Sequence, residues 1–548
     1  MKRIINYATY ILKRIRRRVF GRQFPKIKSS SRLPKIPLSF VVVRFSDEYE
    51  QNILASSDVN NQLNELITIN NFCNLNYDSL AHAMNAGIEE SNNEIIVIVH
   101  EDTFLPDGWQ TELEIAIEGI EKNDPDWGIL GVAGLDKNGS PAGHYSDPNN
   151  FCNTFKNGER FVEATSVDEH LMMFRRKLNP KADENIVGIH GIGTDMVLTA
   201  IESGNKCYII NAPSIHKYKD GNGKTIQRIM DSPKIKDRLN YAYKADKACC
   251  DEYVSKKWDE ITPFNSIVTH YDKWTHPSEE IKKIKPEIIG LINSPVVLLG
   301  KGGGGSRLLS LIAEDCGIFL GNDVNISGDC MDIVIAVYQS VIEKYKCKAE
   351  WQKDIIVAQL KLAAAKMLDK YISFTGIPIN EILWGFKLPE NMLLLPEINS
   401  AFPNARYVHM LRNPAETCLR RTHMTARLDN QVGRVTLPLA YRSAGLGVEQ
   451  ILKDPPELHN AYTTLFQLKN ALEYCKQNFN SGKYYELNFD DILNSPTETR
   501  DKLCDWLGVK PVSNKTGEEI DINRAKKPKA EYSEEIINKI EEILKPIM

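Results

Sequence analysis

The sequence predicts two α/β domains in tandem, and three observations lead there. The chain has 548 residues, more than one hydrophobic core ordinarily serves, so two domains of roughly 250 residues each are expected. Short β-branched apolar runs alternate with amphipathic stretches along the chain, the pattern of sheets layered with helices. Near residue 282 a charged, aperiodic stretch (THPSEEIKKIKPE) intervenes, and an apolar strand, a glycine loop and an apolar helix begin just after it. The resulting division is a basic tail over 1–36, a first domain over 37–275, a linker over 276–290 and a second domain over 291–548.

Composition narrows the classes. Hydrophobic content of 42%, charged content of 26% and a net charge of −4 describe a globular protein, neither membrane-embedded nor a general nucleic-acid binder. Eleven cysteines occur without a CxxC pair, which suits reduced thiols and a cytoplasmic setting. From Lys2 to Lys35 there are twelve Lys or Arg and no acidic residue. The apolar stretch among them is too short to span a bilayer. It reads as a basic amphipathic segment lying on anionic lipid, peripheral on the inner face of the plasma membrane, with a solvated tail as the alternative.

In the first domain, Leu38–Val43 is a strand, Glu94–His100 a buried strand, Gly108–Lys122 a helix and Trp127–Leu135 another strand. Thr194–Ser203 reads as a helix and Lys206–Ile210 as a strand. The strand ending at Val99 delivers His100-Glu101-Asp102, and carboxylates at a strand end suit a hard divalent cation bridging a diphosphate. With Thr103 to Trp109 (TFLPDGW), this stretch resembles the D-x-D region of GT-A glycosyltransferases, similar to family 2. Asn85-Ala86-Gly87-Ile88, Val167-Asp168-Glu169 with Arg175-Arg176, His190 to Asp195 and Pro213 to His216 resemble further segments of that family in the same order. The resemblance implies a GT-A (Rossmann-like) fold and a nucleotide-sugar donor, UDP-linked. It also implies Asp102 as a ligand of Mn or Mg, His216 completing the shell, and Asp195 as general base in an inverting displacement. His100 stands where the family usually has its first Asp.

In the second domain, Pro295–Leu299 is a buried strand leading into Gly300-Lys301-Gly302-Gly303-Gly304-Gly305-Ser306-Arg307, and Leu308, Leu309, Leu311 and Ile312 form a helical apolar face. Strand, glycine loop and helix start make a phosphate cradle of converging N–H groups. An ATP-type loop would need lysine where Ser306 stands, which sets that reading aside. The loop resembles the 5′-phosphosulfate loop of sulfotransferases, with Gly304 where the family usually has serine. Trp384–Pro389, the strand Ala405–Leu411 ending in Arg412-Asn413-Pro414, and Tyr484–Ile492 followed by Trp506-Leu507-Gly508 resemble later motifs of the same family.

That resemblance implies a P-loop-like sulfotransferase fold with a parallel sheet and 3′-phosphoadenosine 5′-phosphosulfate (PAPS) as sulfuryl donor. Gly300 to Arg307 would hold the phosphosulfate and Arg412 the 3′-phosphate. Arg420 replaces the family's serine ligand. Lys301 and Arg307 would be the cations at the leaving phosphate and Asp323 the base, with His423 and Glu314 as other options. The joint expectation is a bifunctional enzyme of polysaccharide biosynthesis that adds a sugar and a sulfuryl group to a glycan or glycolipid acceptor. A sulfotransferase with an inactive, glycan-binding N-terminal domain, and a non-enzymatic scaffold, are the alternatives.

Overall fold

The computed structural model describes residues 32–46, 48–147, 150–216, 233–420, 422–520 and 532–548. Most of the basic tail, residues 1–31, lies outside them. Where the chain becomes described it is anchored: the carboxylate of Glu114, fully buried, accepts the backbone N–H groups of Lys35 and Ile36 at 2.7 and 2.8 Å. Arg32 pairs with Glu114 and Glu118 on the same helix.

The architecture is α/β throughout. The N-terminal sheet has twelve strands among the described residues. At one end Glu65–Asn70, Leu38–Arg44 and Ile95–Val99 run parallel. Ile95–Val99 then pairs antiparallel with Leu171–Arg175, and the sheet continues to a far end where Pro141–Asp147, Ser214–His216 and Thr103–Phe104 adjoin. The apolar run Trp127–Leu135, read as one strand, is two, Ile129–Gly131 and Ala133–Asp136. They pair with different neighbours. The switch needs close backbone approach: a Cβ on Gly134 would lie 2.0 Å from the Ser166 carbonyl oxygen.

The C-terminal sheet has four parallel strands in the order Gly385–Lys387, Val296–Leu299, Arg406–Leu411, Tyr484–Asn488. The strand order reverses beside Val296–Leu299, so the crevice for a ligand opens at its C-terminal end. The helix Ser306–Asp315 follows the glycine loop, and long helices at Ile356–Thr375 and Pro456–Asn478 complete the layers.

Two short helices, Pro277–Ile281 and Pro286–Ile292, occupy the segment read as a linker, and Ile288 and Ile292 are buried in the C-terminal core. Both sides of this junction share apolar packing. The helix Pro233–Lys257 contributes Ala242, Ala245 and Cys249 to the core that holds Val337, Val341 and Leu360. Glu252 accepts the amides of Gln339 and Gln359 at 3.0 and 3.2 Å, and Tyr253 stacks on Trp351. Arg434 of the C-terminal half sits 4.5 Å over the Phe45 ring.

Candidate functional site: a phosphate cradle and a histidine–aspartate cluster

The C-terminal candidate site is built where four parallel strands end. Gly300 follows Leu299, Lys387 closes its strand, Arg412 follows Leu411 and Phe489 follows Asn488. The glycines of the loop have identifiable jobs. A Cβ on Gly302 would lie 2.0 Å from His423 Cδ2, and Gly305 has φ +94° with its Cβ direction blocked by Phe489 at 2.4 Å. The loop therefore packs directly against two rings.

Lys301 is 4% exposed and its Nζ donates to Thr425 Oγ1 at 3.1 Å. His423 Nδ1 lies 3.0 Å from that hydroxyl and accepts the Thr425 N–H at 3.3 Å. Nδ1 is thus an acceptor, which leaves the proton of a neutral ring on Nε2, the nitrogen that faces Gly302. Burial lowers the Lys301 ammonium to about 8. A bound phosphate would favour its charged form, so the affinity of the loop for a phosphate ligand should decline as pH rises through 8, by up to about tenfold per unit. Calorimetry with adenosine 3′,5′-bisphosphate across that range checks this, and Lys301→Ala should flatten the profile.

Lys387 is 1% exposed. Its Nζ reaches Asp329 at 2.7 Å, the Ser327 carbonyl at 2.5 Å and Ser306 Oγ at 3.3 Å. A buried ammonium thus stands against the first residue of the cradle helix, balanced by one buried carboxylate. Ser310 Oγ donates to the Gly328 carbonyl at 3.0 Å and ties the Asp329 loop to that helix. Arg412 lies 4.1 Å over the Phe489 ring and donates to Glu416 at 3.0 Å, its side chain 5% exposed.

The expected residues fall in different places. Gly300 to Ser306, Lys301 and Arg412 converge at the strand ends. Arg307 is exposed on the cradle helix and Arg420 half-buried beyond the short helix Pro414–Cys418. Asp323 is exposed in the turn before Asp329, and its backbone N–H donates to Asp332. The carboxylate that meets Lys387 is Asp329. The sequence motifs point to neither Asp329 nor a role for Lys387; the one signal they carry is the lysine two residues before Pro389.

The N-terminal candidate site forms because Thr103–Phe104 pairs antiparallel with Ser214–His216, which sets His216 opposite Thr103. His216 Nε2 comes 3.3 Å from Asp102 Oδ1, with 18% and 13% of the two side chains exposed. His100 joins them, one ligand atom from each residue lying within 4.8 Å of the others. These three would hold a divalent cation. Glu101 does not join: it accepts the N–H groups of Phe45 and Ser46, both at 2.8 Å, and fastens the loop after the first strand.

A second layer backs the cluster. His170 stacks on His216 with centroids 5.1 Å apart, its Nδ1 2.7 Å from Asp168 and its Nε2 3.2 Å from Ser214 Oγ. Burial opposes ionisation of Asp168, but the His170 hydrogen bond and charge win and hold it below the usual carboxylate range. Burial and the neighbouring Asp168 push the Glu169 carboxyl well above the usual range. Asp195 is 1% exposed in the helix Ile192–Glu202. Its oxygens accept from Lys257 Nζ at 2.8 and 3.0 Å and from Trp258 Nε1 at 2.8 Å. Burial raises its pKa while Lys257 opposes the rise.

Residues 329–513 match the sulfotransferase family, so a sulfotransferase-family domain lies in the C-terminal half. The glycine loop precedes that match. A protein from Fuscovulum blasticum described as "ATP synthase subunits region ORF 6" is 31% identical over 134 residues, 22% of this chain and 51% of its own length. The chain thus spans about half the length of that curated relative. A sulfotransferase from Mycobacterium avium superposes with TM-score 0.30 at 11% identity, covering 50% of this chain and 80% of its own. A mannosyltransferase from Pyrobaculum calidifontis, solved with GDP-Man and Mn2+, gives TM-score 0.27 at 11% identity over 47% of this chain and 73% of its own. No described helix is long and apolar enough to cross a membrane.

Proposed function

We propose that the C-terminal domain transfers a sulfuryl group from PAPS to a hydroxyl of a glycan or glycolipid. The observation that carries the reading is the convergence of the glycine cradle, Lys301, Lys387 and Arg412 at the ends of adjacent parallel strands. The cradle N–H groups and Lys301 bind the 5′-phosphosulfate, Arg412 takes the 3′-phosphate, and Lys387 stabilises charge growing on the leaving phosphate. Asp329 is committed to Lys387, so the exposed Asp323 is the loop carboxylate proposed to accept the hydroxyl proton. His423, with Nδ1 occupied, is a donor and not a base.

Incubation with radiolabelled PAPS and extracted surface glycans tests this directly, and absence of both transfer and adenosine 3′,5′-bisphosphate binding would overturn it. Arg412→Ala should weaken that bisphosphate by about 2–3 kcal/mol, the scale of a lost charged hydrogen bond. It should weaken adenosine 5′-phosphosulfate much less, since that ligand has no 3′-phosphate. Equal losses by calorimetry would take the 3′-phosphate away from this arginine.

For the N-terminal domain we propose inverting sugar transfer from a nucleotide sugar, UDP-linked, with Mn or Mg held by Asp102 and His216 and with Asp195 as base. The His100–Asp102–His216 cluster at the strand end supports it. A non-catalytic, glycan-binding domain is the second reading, favoured by one observation: Lys257 and Trp258 engage both oxygens of Asp195. Hydrolysis or transfer of labelled UDP-sugars in the presence of Mn2+ separates the two. The basic tail is proposed to bring the enzyme to an anionic membrane surface, where a glycolipid acceptor would be met.

A further inference from the structure

We infer that the His100–Asp102–His216 cluster selects a divalent transition-metal ion over magnesium. The inference rests on the reading that this cluster holds the cation of a nucleotide-sugar site, and it specifies which cations the site accepts. Two of the three donors are imidazoles. Magnesium demands oxygen ligands in near-ideal octahedral geometry and gives up water reluctantly. Imidazole nitrogen suits the later first-row ions instead, whose affinities for a given site rise from manganese through iron and cobalt. An acidic-x-acidic sequence would have offered two carboxylates to magnesium. Here His100 takes the first position and Glu101 is turned to the Phe45–Ser46 loop.

Asp102 and His216 already stand at the separation of two ligands about one ion, and the His100 ligand atom lies within 4.8 Å of both. Two atoms each about 2.1 Å from a metal and roughly 100° apart are about 3.2 Å from each other, and His216 Nε2 and Asp102 Oδ1 are 3.3 Å apart. His100 is fixed from its backbone: its N–H donates to the His170 carbonyl at 2.9 Å, and its carbonyl accepts from Thr103 at 3.0 Å. Its Nε2 is buried and makes no hydrogen bond among the described residues, the condition of a nitrogen kept for a ligand. A third histidine is near, but it is not a donor. Both nitrogens of His170 are engaged, by Asp168 and by Ser214, and its ring serves to stack on His216. The donor set these residues would offer a cation is therefore two nitrogens and one oxygen.

The test uses the full chain, stripped of metal and titrated without nucleotide. Binding of Mn2+ is read from loss of the free-ion paramagnetic resonance signal, Co2+ from its visible absorption, and Zn2+ and Mg2+ by calorimetry. The expected order is Zn2+ above Co2+ above Mn2+, with about a hundredfold excess of Mg2+ failing to displace Mn2+. His100→Asp should narrow the preference for Mn2+ over Mg2+ by at least about tenfold, and His216→Gln should change the Co2+ spectrum; circular dichroism confirms that each variant is folded. Equal affinity of the wild type for Mg2+ and Mn2+ would overturn the inference, as would an unchanged preference in folded His100→Asp. Uridine diphosphate is added last. If the metal preference holds and the nucleotide does not bind, the nucleotide-sugar reading fails and the metal selectivity stands.

Discussion

Lys387→Met should cut sulfuryl transfer by about 10²–10³-fold, the cost of removing one preorganised donor from a developing charge, and should destabilise the domain as well. The second effect follows from burial. Lys387 and Asp329 are 1% and 3% exposed and 2.7 Å apart, and stripping a buried carboxylate of its cation costs about 3–5 kcal/mol. The two effects can be separated. Adding Asp329→Asn removes the orphaned charge, so the double variant should recover most of the lost thermal stability while remaining as slow as Lys387→Met. Recovery of transfer along with stability would show that the lysine only holds the loop at Asp329 in place, and would remove it from the chemistry. Rates from labelled donor, with melting temperatures from the same preparations, decide between the two outcomes.

That pair also marks where sequence reading stops. The strands Leu38–Arg44, Ile95–Val99, Val296–Leu299 and Arg406–Leu411 are legible because each is a short apolar run whose partners do not matter to its recognition. The residues at their ends, Asp102, Gly300 to Ser306 and Arg412, are legible for the same reason: motif and strand are contiguous. Lys387 is equally local, at the end of Gly385–Lys387, but its role depends on Asp329, which sits in an irregular loop with no periodicity to announce it. Asp195 shows the converse. Its place at the start of a helix is readable, but the Lys257 and Trp258 that engage it arrive from the end of the helix Pro233–Lys257, and only packing reveals them. The charged segment after Trp274 misleads for a physical reason, since short helices begun by Pro277 and Pro286 bury only a few apolar side chains and leave no periodic signature. His216 could be paired with Asp102 by resemblance, whereas the contribution of His100 needed the antiparallel register of Thr103–Phe104 with Ser214–His216.

Asp102→Ala should abolish sugar transfer and leave sulfuryl transfer within about twofold of the parent, because additivity is expected for sites that share no ligand. Asp102 is the one carboxylate of its cluster, so its loss leaves two neutral imidazoles to hold a dication and its diphosphate. Mn2+ affinity should then fall by at least about tenfold, a readout independent of turnover. The route nearest to Asp102 by which damage could spread runs through its neighbour in sequence. Glu101, next in sequence, clamps the N–H groups of Phe45 and Ser46, and Arg434 of the C-terminal half packs on the Phe45 ring. Asp102 makes no part of that clamp, so the alanine should leave the contact standing. Measuring both transfers on one preparation gives the answer: a matched loss of the two activities in a protein that still unfolds at the parental temperature would mean that the sites are coupled through the packing the two halves share, and independence of the two sites would have to be given up.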